Sequence, residues 1–126
     1  MVHTRLEKIA KAIKNLEQAL SQYEKKKSGD ELPFLALCKT VEVLIEYLWK
    51  EFKHRIENEG LFAVSPKEAI RQAATIGLIS EPERWIKIVL ARNDSVHDYF
   101  GIPEQDYVML ARELAKKASA ISFTTK

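Results

Sequence analysis

The sequence predicts an all-α fold, an antiparallel up-down bundle of four long helices plus one short helix, forming a single domain over residues 1–126. Three observations carry that expectation. Apolar residues recur at steps of three and four along most of the chain, the period of one helix face. The β-branched residues fall on the same period, and no stretch alternates apolar with polar residues between turn formers, as a half-buried strand would. The four glycines, Gly29, Gly60, Gly77 and Gly101, each stand where a periodic run stops.

In the first run, Leu6, Ile9, Ile13, Leu16, Leu20 and Tyr23 are separated by Lys, Glu and Gln, which predicts an amphipathic helix over residues 4–26. Lys25, Lys26 and Lys27 suit its negative C-terminal end, and Ser28-Gly29-Asp30 breaks it. A second helix, from about 32 to 59, follows from a stripe of Leu35, Cys38, Val41, Leu44, Ile45, Leu48, Trp49, Phe52 and Ile56 ahead of Gly60. "SPKE", Ser65 to Glu68, offers a hydroxyl cap, a proline in the first turn and a glutamate three residues on, and so predicts a short helix to about Thr75. "SEPE", Ser80 to Glu83, repeats that signal before Trp85, Ile88 and Val89, so the fourth helix carries "ARNDSVHDYF" (91–100) at its C-terminal end, with Gly101 and Pro103 beyond. The last helix, about 104 to 121, presents Tyr107, Leu110, Ala111, Leu114, Ala118 and Ile121, and the tail "SFTTK" is expected to fray. Around Trp49 and Phe52 the long second helix holds more apolar surface than so small a bundle is expected to cover, which predicts a homodimer.

At 46% hydrophobic and 30% charged residues the composition is that of a soluble globular chain. No run reaches the ~20 apolar residues of a membrane span, and "MVHTRLEKIAKAIKNLEQAL" lacks the apolar core of a signal peptide, so a cytoplasmic protein without a membrane partner is expected. A net charge of +2 neither demands nor excludes nucleic acid. Cys38, the single cysteine, has no disulfide partner in the chain and is expected in the core. His3, His54 and His97 fall in different elements, and no Cys or His pair has ligand spacing, so no metal site is expected. With no glycine-rich phosphate loop either, neither a cofactor nor a nucleotidyltransferase or kinase centre is expected in this chain. Most carboxylates sit near lysines at helix-surface spacing, as in Glu46-Lys50 and Glu113-Lys117.

The segment from Arg92 to Tyr99 is different in kind. It groups a fixed cation (Arg92), a titratable base (His97), amide and carboxylate hydrogen-bonding groups (Asn93, Asp94, Asp98) and a phenol (Tyr99). Phosphodiester chemistry without a metal can use that set: a histidine takes the proton of a ribose 2′-hydroxyl while an arginine stabilises charge on the phosphate oxygens. The plainer alternative is that Arg92 and His97 only decorate the last turns of a helix, where positive charge is favourable. Five residues of regular helix turn through ~500°, so Arg92 and His97 point ~140° apart, whereas Asn93 and His97 share a face. For the pair to act together the helix must bend or end within the motif, or two copies in a dimer must pool their side chains.

The stretches "LWKEFK" (48–53), "SPKEAIRQA" (65–73), "GLI" (77–79), Trp85 and "RNDSVHDY" (92–99) resemble, in order and spacing, the nucleotidyltransferase substrate-binding protein family, a branch of the HEPN superfamily of small helical proteins. The resemblance covers roughly residues 5–120. It implies a helical bundle that usually dimerises and acts beside a separately encoded minimal nucleotidyltransferase, the two often forming a toxin-antitoxin module. In many HEPN proteins an Arg-x4-6-His motif forms a ribonuclease site at the dimer interface, and the matching residues here are Arg92 and His97, with Asn93 as polar neighbour. In some pairs the nucleotidyltransferase inactivates the toxin by transferring AMP to a tyrosine two residues past the histidine, which here is Tyr99.

Two positions depart from that pattern. Val41-Glu42 stands where relatives often carry Phe-Glu, a difference of packing, and Asp98 stands where a small hydroxyl residue is common. A carboxylate at 98 raises the pKa of His97 if the two side chains approach, and it repels phosphate. Two functions therefore stay open. One is a HEPN-like substrate-binding subunit for a minimal nucleotidyltransferase, with Asp94 and Asp98 as binding residues and RNA or a nucleotide as ligand. The other is a metal-independent RNA endonuclease with Arg92, Asn93 and His97 as catalytic residues. A helical adaptor with no site is the third reading.

Overall fold

The computed structural model of the chain describes residues 4–97, 103–121 and 123, and within the helix that ends at His97 it describes side chains as far as Ala91. Five helices occur among the described residues: α1 (Arg5–Glu24), α2 (Leu32–Asn58), α3 (Pro66–Thr75), α4 (Pro82–His97) and α5 (Glu104–Ala120). There is no strand among the described residues. None of the helices is long and apolar enough to cross a membrane.

Local chemistry explains where the helices start. Thr4 Oγ1 accepts from the Glu7 amide at 3.1 Å and Glu7 Oε1 accepts from the Thr4 amide at 2.8 Å, a complete capping box. Asp30 Oδ1 accepts from the Leu32 amide at 3.2 Å at the head of α2. Ser65 Oγ accepts from the Glu68 amide at 3.2 Å, so the serine of "SPKE" caps α3 as its sequence predicts. The second serine signal is displaced by one residue. Because α4 begins at Pro82, the residue before it is Glu81 rather than Ser80, and the Glu81 carbonyl accepts from Arg84 N at 3.0 Å and Trp85 N at 3.3 Å. Glu81 has φ 55°, a left-handed conformation that costs an L-residue with a β-carbon about 1–2 kcal/mol. Gly77, at φ 80°, closes α3 with Leu78 N donating to Ala73 O at 3.0 Å, a turn that glycine adopts without that cost.

Long-range pairs fix the helix directions. Arg5 meets Glu51, Arg55 meets Phe123, and Lys117 meets Glu81, so the start of α1, the end of α2, the start of α4 and the end of α5 gather at one end of the bundle. At the opposite end Tyr23 packs near Phe34, Phe34 stacks edge-on against Tyr107, and Tyr23 Oη donates to Glu104 Oε2 at 2.5 Å. The first is the Arg5 end of the bundle and the second its His97 end. Leu16, Leu37, Leu44, Leu48, Ile56 and Leu114 form the centre of the core, each stabilising the fold by about 1.5–3 kcal/mol through removal of apolar surface from water.

Several expectations change at this level. Leu35 is 50% exposed while Leu37 is fully buried, because α2 packs along Leu37, Val41, Leu44 and Leu48, and Leu35 lies ~200° around the helix from Leu37. Cys38 is half-buried at the edge of the core, and burial pushes its thiol above the ordinary range. Of the two aromatics expected to stay uncovered, Phe52 is 1% exposed because Trp85 of α4 packs on it edge-to-face with centroids 5.7 Å apart, whereas Trp49 is only partly buried. Helix α1 ends at Glu24, two residues before the expected limit, and Lys26 Nζ lies 5.4 Å from the centre of the Tyr23 ring. The tail is anchored at Phe123, whose carbonyl accepts from Arg55 Nη2 at 3.1 Å and whose ring lies 5.5 Å from the guanidinium carbon. Its other residues, 122 and 124–126, lie outside the described residues. Of the two predicted surface pairs, Glu46-Lys50 closes to 3.4 Å and Glu113-Lys117 to 3.8 Å.

Candidate functional site

Helix α4 carries the candidate segment, and its first half is held firmly. Trp85, Ile86, Ile88 and Ala91 are buried, whereas Lys87 and Leu90 face solvent, Leu90 at 47% exposure. The helix then runs unbroken through Arg92, Asn93 and Asp94 to His97. Continuing its register, position 92 follows Trp85, Ile88 and Val89 at seven, four and three residues, on the side that packs toward α2. Positions 94 and 97 follow Leu90 at four and seven, on the outer stripe. Because the helix passes through both positions, 92 and 97 lie ~140° apart in one chain, and 93 and 97 lie one turn apart. The side chains of Arg92, Asn93, Asp94 and His97, and all of Asp98 and Tyr99, lie outside the described residues.

A second cluster of chemistry-bearing residues surrounds the start of α4, at the Arg5 end. Arg84 Nε donates to Glu113 Oε2 at 3.0 Å and Arg84 Nη2 to Glu113 Oε1, a two-pronged pair across α4 and α5. That hydrogen bond holds the Glu113 carboxyl below its usual range and raises Arg84 further. Lys117 Nζ, on the next turn of α5, donates to Glu81 Oε1 at 2.5 Å and stands 3.8 Å from Glu113 Oε2. Beside these pairs opens a cleft of about 450 Å³ between the α3–α4 loop and the end of α5. Leu78, Ile79, Ser80 and Glu81 form one wall, and Lys116, Lys117 and Ile121 the other.

The sequence carries little sign of this cleft. Its two walls come from segments at least 35 residues apart, and nothing in "SEPE" marks Glu81 as left-handed, since such a backbone is uncommon for glutamate. A third polar cluster is structural. Glu51, 1% exposed, accepts from Arg5 Nε at Oε1 and from Arg55 Nε at Oε2, each at 2.8 Å. Its sequence signal, Glu51 four residues before Arg55, reads only as another surface pair. No group of three or more His, Cys, Asp or Glu side chains with metal-binding geometry occurs among the described residues.

A family model described as "Nucleotidyltransferase substrate binding protein like" matches residues 4–118. No curated protein matches the chain.

Proposed function

We propose, from the premise that this chain belongs to the family of nucleotidyltransferase substrate-binding-like proteins, that it is the helical subunit presenting a nucleotide or RNA to a separately encoded minimal nucleotidyltransferase. The observation that carries the reading is the extent of the match: residues 4–118 take in α1 to α4 whole and all but the last two residues of α5. The contact is placed on the outer stripe of α4, where exposed Lys87 and Leu90 lead into positions 94 and 97, with Asp98 and Tyr99 following in the chain. In this reading the two proteins form a toxin-antitoxin module and the helical subunit is a homodimer; if the subunit is an RNA endonuclease toxin, the partner inactivates it by transferring AMP from ATP to Tyr99, with release of pyrophosphate. The test is co-expression with the candidate nucleotidyltransferase followed by size-exclusion chromatography. A complex that Leu90→Glu and His97→Ala weaken supports the assignment, and two proteins that elute apart at micromolar concentration overturn it. Mass spectrometry after incubation with that partner and ATP then shows AMP on Tyr99, or removes the tyrosine from the scheme.

One observation favours a second reading, a metal-independent RNA endonuclease. Positions 92 and 97 lie ~140° apart on an unbroken helix, the separation that suits a site taking its arginine from one copy and its histidine from the other. His97 then serves as general base or acid, Arg92 stabilises the charge on phosphorus-bound oxygens, and Asn93 orients either one. Such a site has a distinctive signature: RNA cleavage persists in EDTA, vanishes in Arg92→Ala and in His97→Ala, and returns when the two variants are mixed. If mixing restores nothing, shared sites are excluded.

A further inference from the structure

We propose that the cleft between the α3–α4 loop and the end of α5 binds a small phosphate monoester with an apolar or aromatic body, and that the Glu81 carboxylate occupies the position of the phosphate. The cleft lies at the Arg5 end, at the opposite end of α4 from Arg92–His97, so the inference stands independently of the function proposed above. Its volume of about 450 Å³ falls within the range of small-molecule sites. Its chemistry is divided: Leu78, Ile79 and Ile121 supply apolar surface over the buried edge of Trp85, while Lys116, Lys117 and the Ser80 hydroxyl supply polar groups. An amphipathic anion needs that division, with its body against the aliphatic side chains and its charge on the ammonium groups.

Glu81 supplies the second strand of the argument. Its carboxylate is an anion already seated on Lys117, at 2.5 Å, and it is carried there by a backbone at φ 55° that side-chain-bearing residues avoid. Glu113, the other acid within reach of Lys117, is engaged by both prongs of Arg84. Lys116, next in the chain, is exposed at the cleft wall. When Glu81 swings out, Lys116 and Lys117 leave two positive charges facing the cleft. A phosphate monoester near neutral pH carries between one and two negative charges and balances them, whereas a single carboxylate leaves one unmatched. The apolar wall sets the second condition, since bare phosphate gains nothing from Leu78, Ile79 and Ile121.

Amide-shift titration of the full chain by NMR, with phenyl phosphate as probe and inorganic phosphate and benzoate as comparators, tests the proposal. Saturable shifts confined to residues 77–85 and 113–121 are expected, with both comparators weaker by roughly tenfold or more. Glu81→Gly removes the internal competitor and suits the positive φ, so it tightens binding several-fold. Lys116→Ala, at an exposed position where the fold is not at risk, weakens binding several-fold, and Lys117→Met weakens it more. The proposal is overturned if phenyl phosphate gives no saturable shift below about 10 mM in either the native chain or Glu81→Gly. It is equally overturned if the shifts map to the His97 end, if both lysine variants bind as the native chain does, or if Glu81→Gly leaves affinity unchanged.

Discussion

Glu51 and Glu113 each sit between two cations, but in opposite surroundings. Glu51 is 1% exposed, and its two carboxylate oxygens are each taken by an arginine Nε, joining α1 to α2. Glu113 is 25% exposed, its partner Arg84 is itself 43% exposed, and Lys117 lines a cleft open to water. The pairing chemistry is alike, and the dielectric is not. In the interior the loss of one partner leaves a charge that water cannot reach, so the cluster acts as a fastener. At the surface water and salt replace a lost partner, so the contacts can exchange with those of a ligand.

That contrast can be broken or sharpened experimentally. The largest effect is expected from Arg55→Ala, which leaves Glu51 buried with one partner and also releases Phe123: about 3 kcal/mol of stability lost in urea denaturation. Glu51→Met, which removes the buried charge itself, should stay within about 1 kcal/mol of the native chain. If Glu51→Met falls as far as Arg55→Ala, pairing rather than burial sets the cost and the contrast fails. Glu81→Gly should raise stability by up to about 1 kcal/mol, because relief of the left-handed backbone outweighs one exposed ion pair; a lower melting temperature would contradict this.

The Glu113 pair should appear as a pH effect. Its folded pKa is depressed, so its contribution is present above the unfolded value near 4.5 and is lost as pH falls through the folded one. The stability difference between the native chain and Glu113→Gln should therefore hold level from pH 6 to about 5 and shrink below that as the carboxyl protonates, and a difference that stays constant into strongly acid solution would remove the electrostatic account. The smallest effect lies at the His97 end, where Tyr23 is pushed up to about 12 by its hydrogen bond to Glu104. Ultraviolet titration should show a late-ionising component that diminishes in Glu104→Gln as Tyr23 moves back toward 10.

The helices were legible because their apolar residues keep one period and their ends carry serine, proline and glycine in the expected places. Misreadings occurred where tertiary context decides. Leu35 and Leu37 are both apolar near the start of α2, and only the packing of that helix selects Leu37 for the core. Phe52 reads as uncovered until α3 and α4 fold over it, and Phe123 reads as frayed until Arg55 is brought beside it from 68 residues away. Of the candidate segment, the place of positions 92 to 97 on the last turns of α4 was legible, while Asp98 and Tyr99 lie outside the described residues. The ~140° between positions 92 and 97 was legible too, but which surface faces each position depends on neighbours that periodicity does not name. The cleft was illegible for the same reason as the tail anchor, since Lys117 and Glu81 are 36 residues apart and no local pattern links them.

The arginine bridge at Phe123 also bears on the order in which the chain assembles. Helices α1 and α2 are neighbours in sequence and can dock early, whereas closing Arg55 onto Phe123 joins residues 68 apart after α3, α4 and α5 have been laid down. Contacts of such long sequence separation tend to form after the main folding barrier, because the loop entropy must be lost before they stabilise anything. Stopped-flow measurements on Phe123→Ala, which takes the ring away from Arg55 and leaves the Glu51 cluster in place, should accordingly show faster unfolding with a nearly native refolding rate. The bridge then governs how long the folded chain persists rather than how quickly it arises.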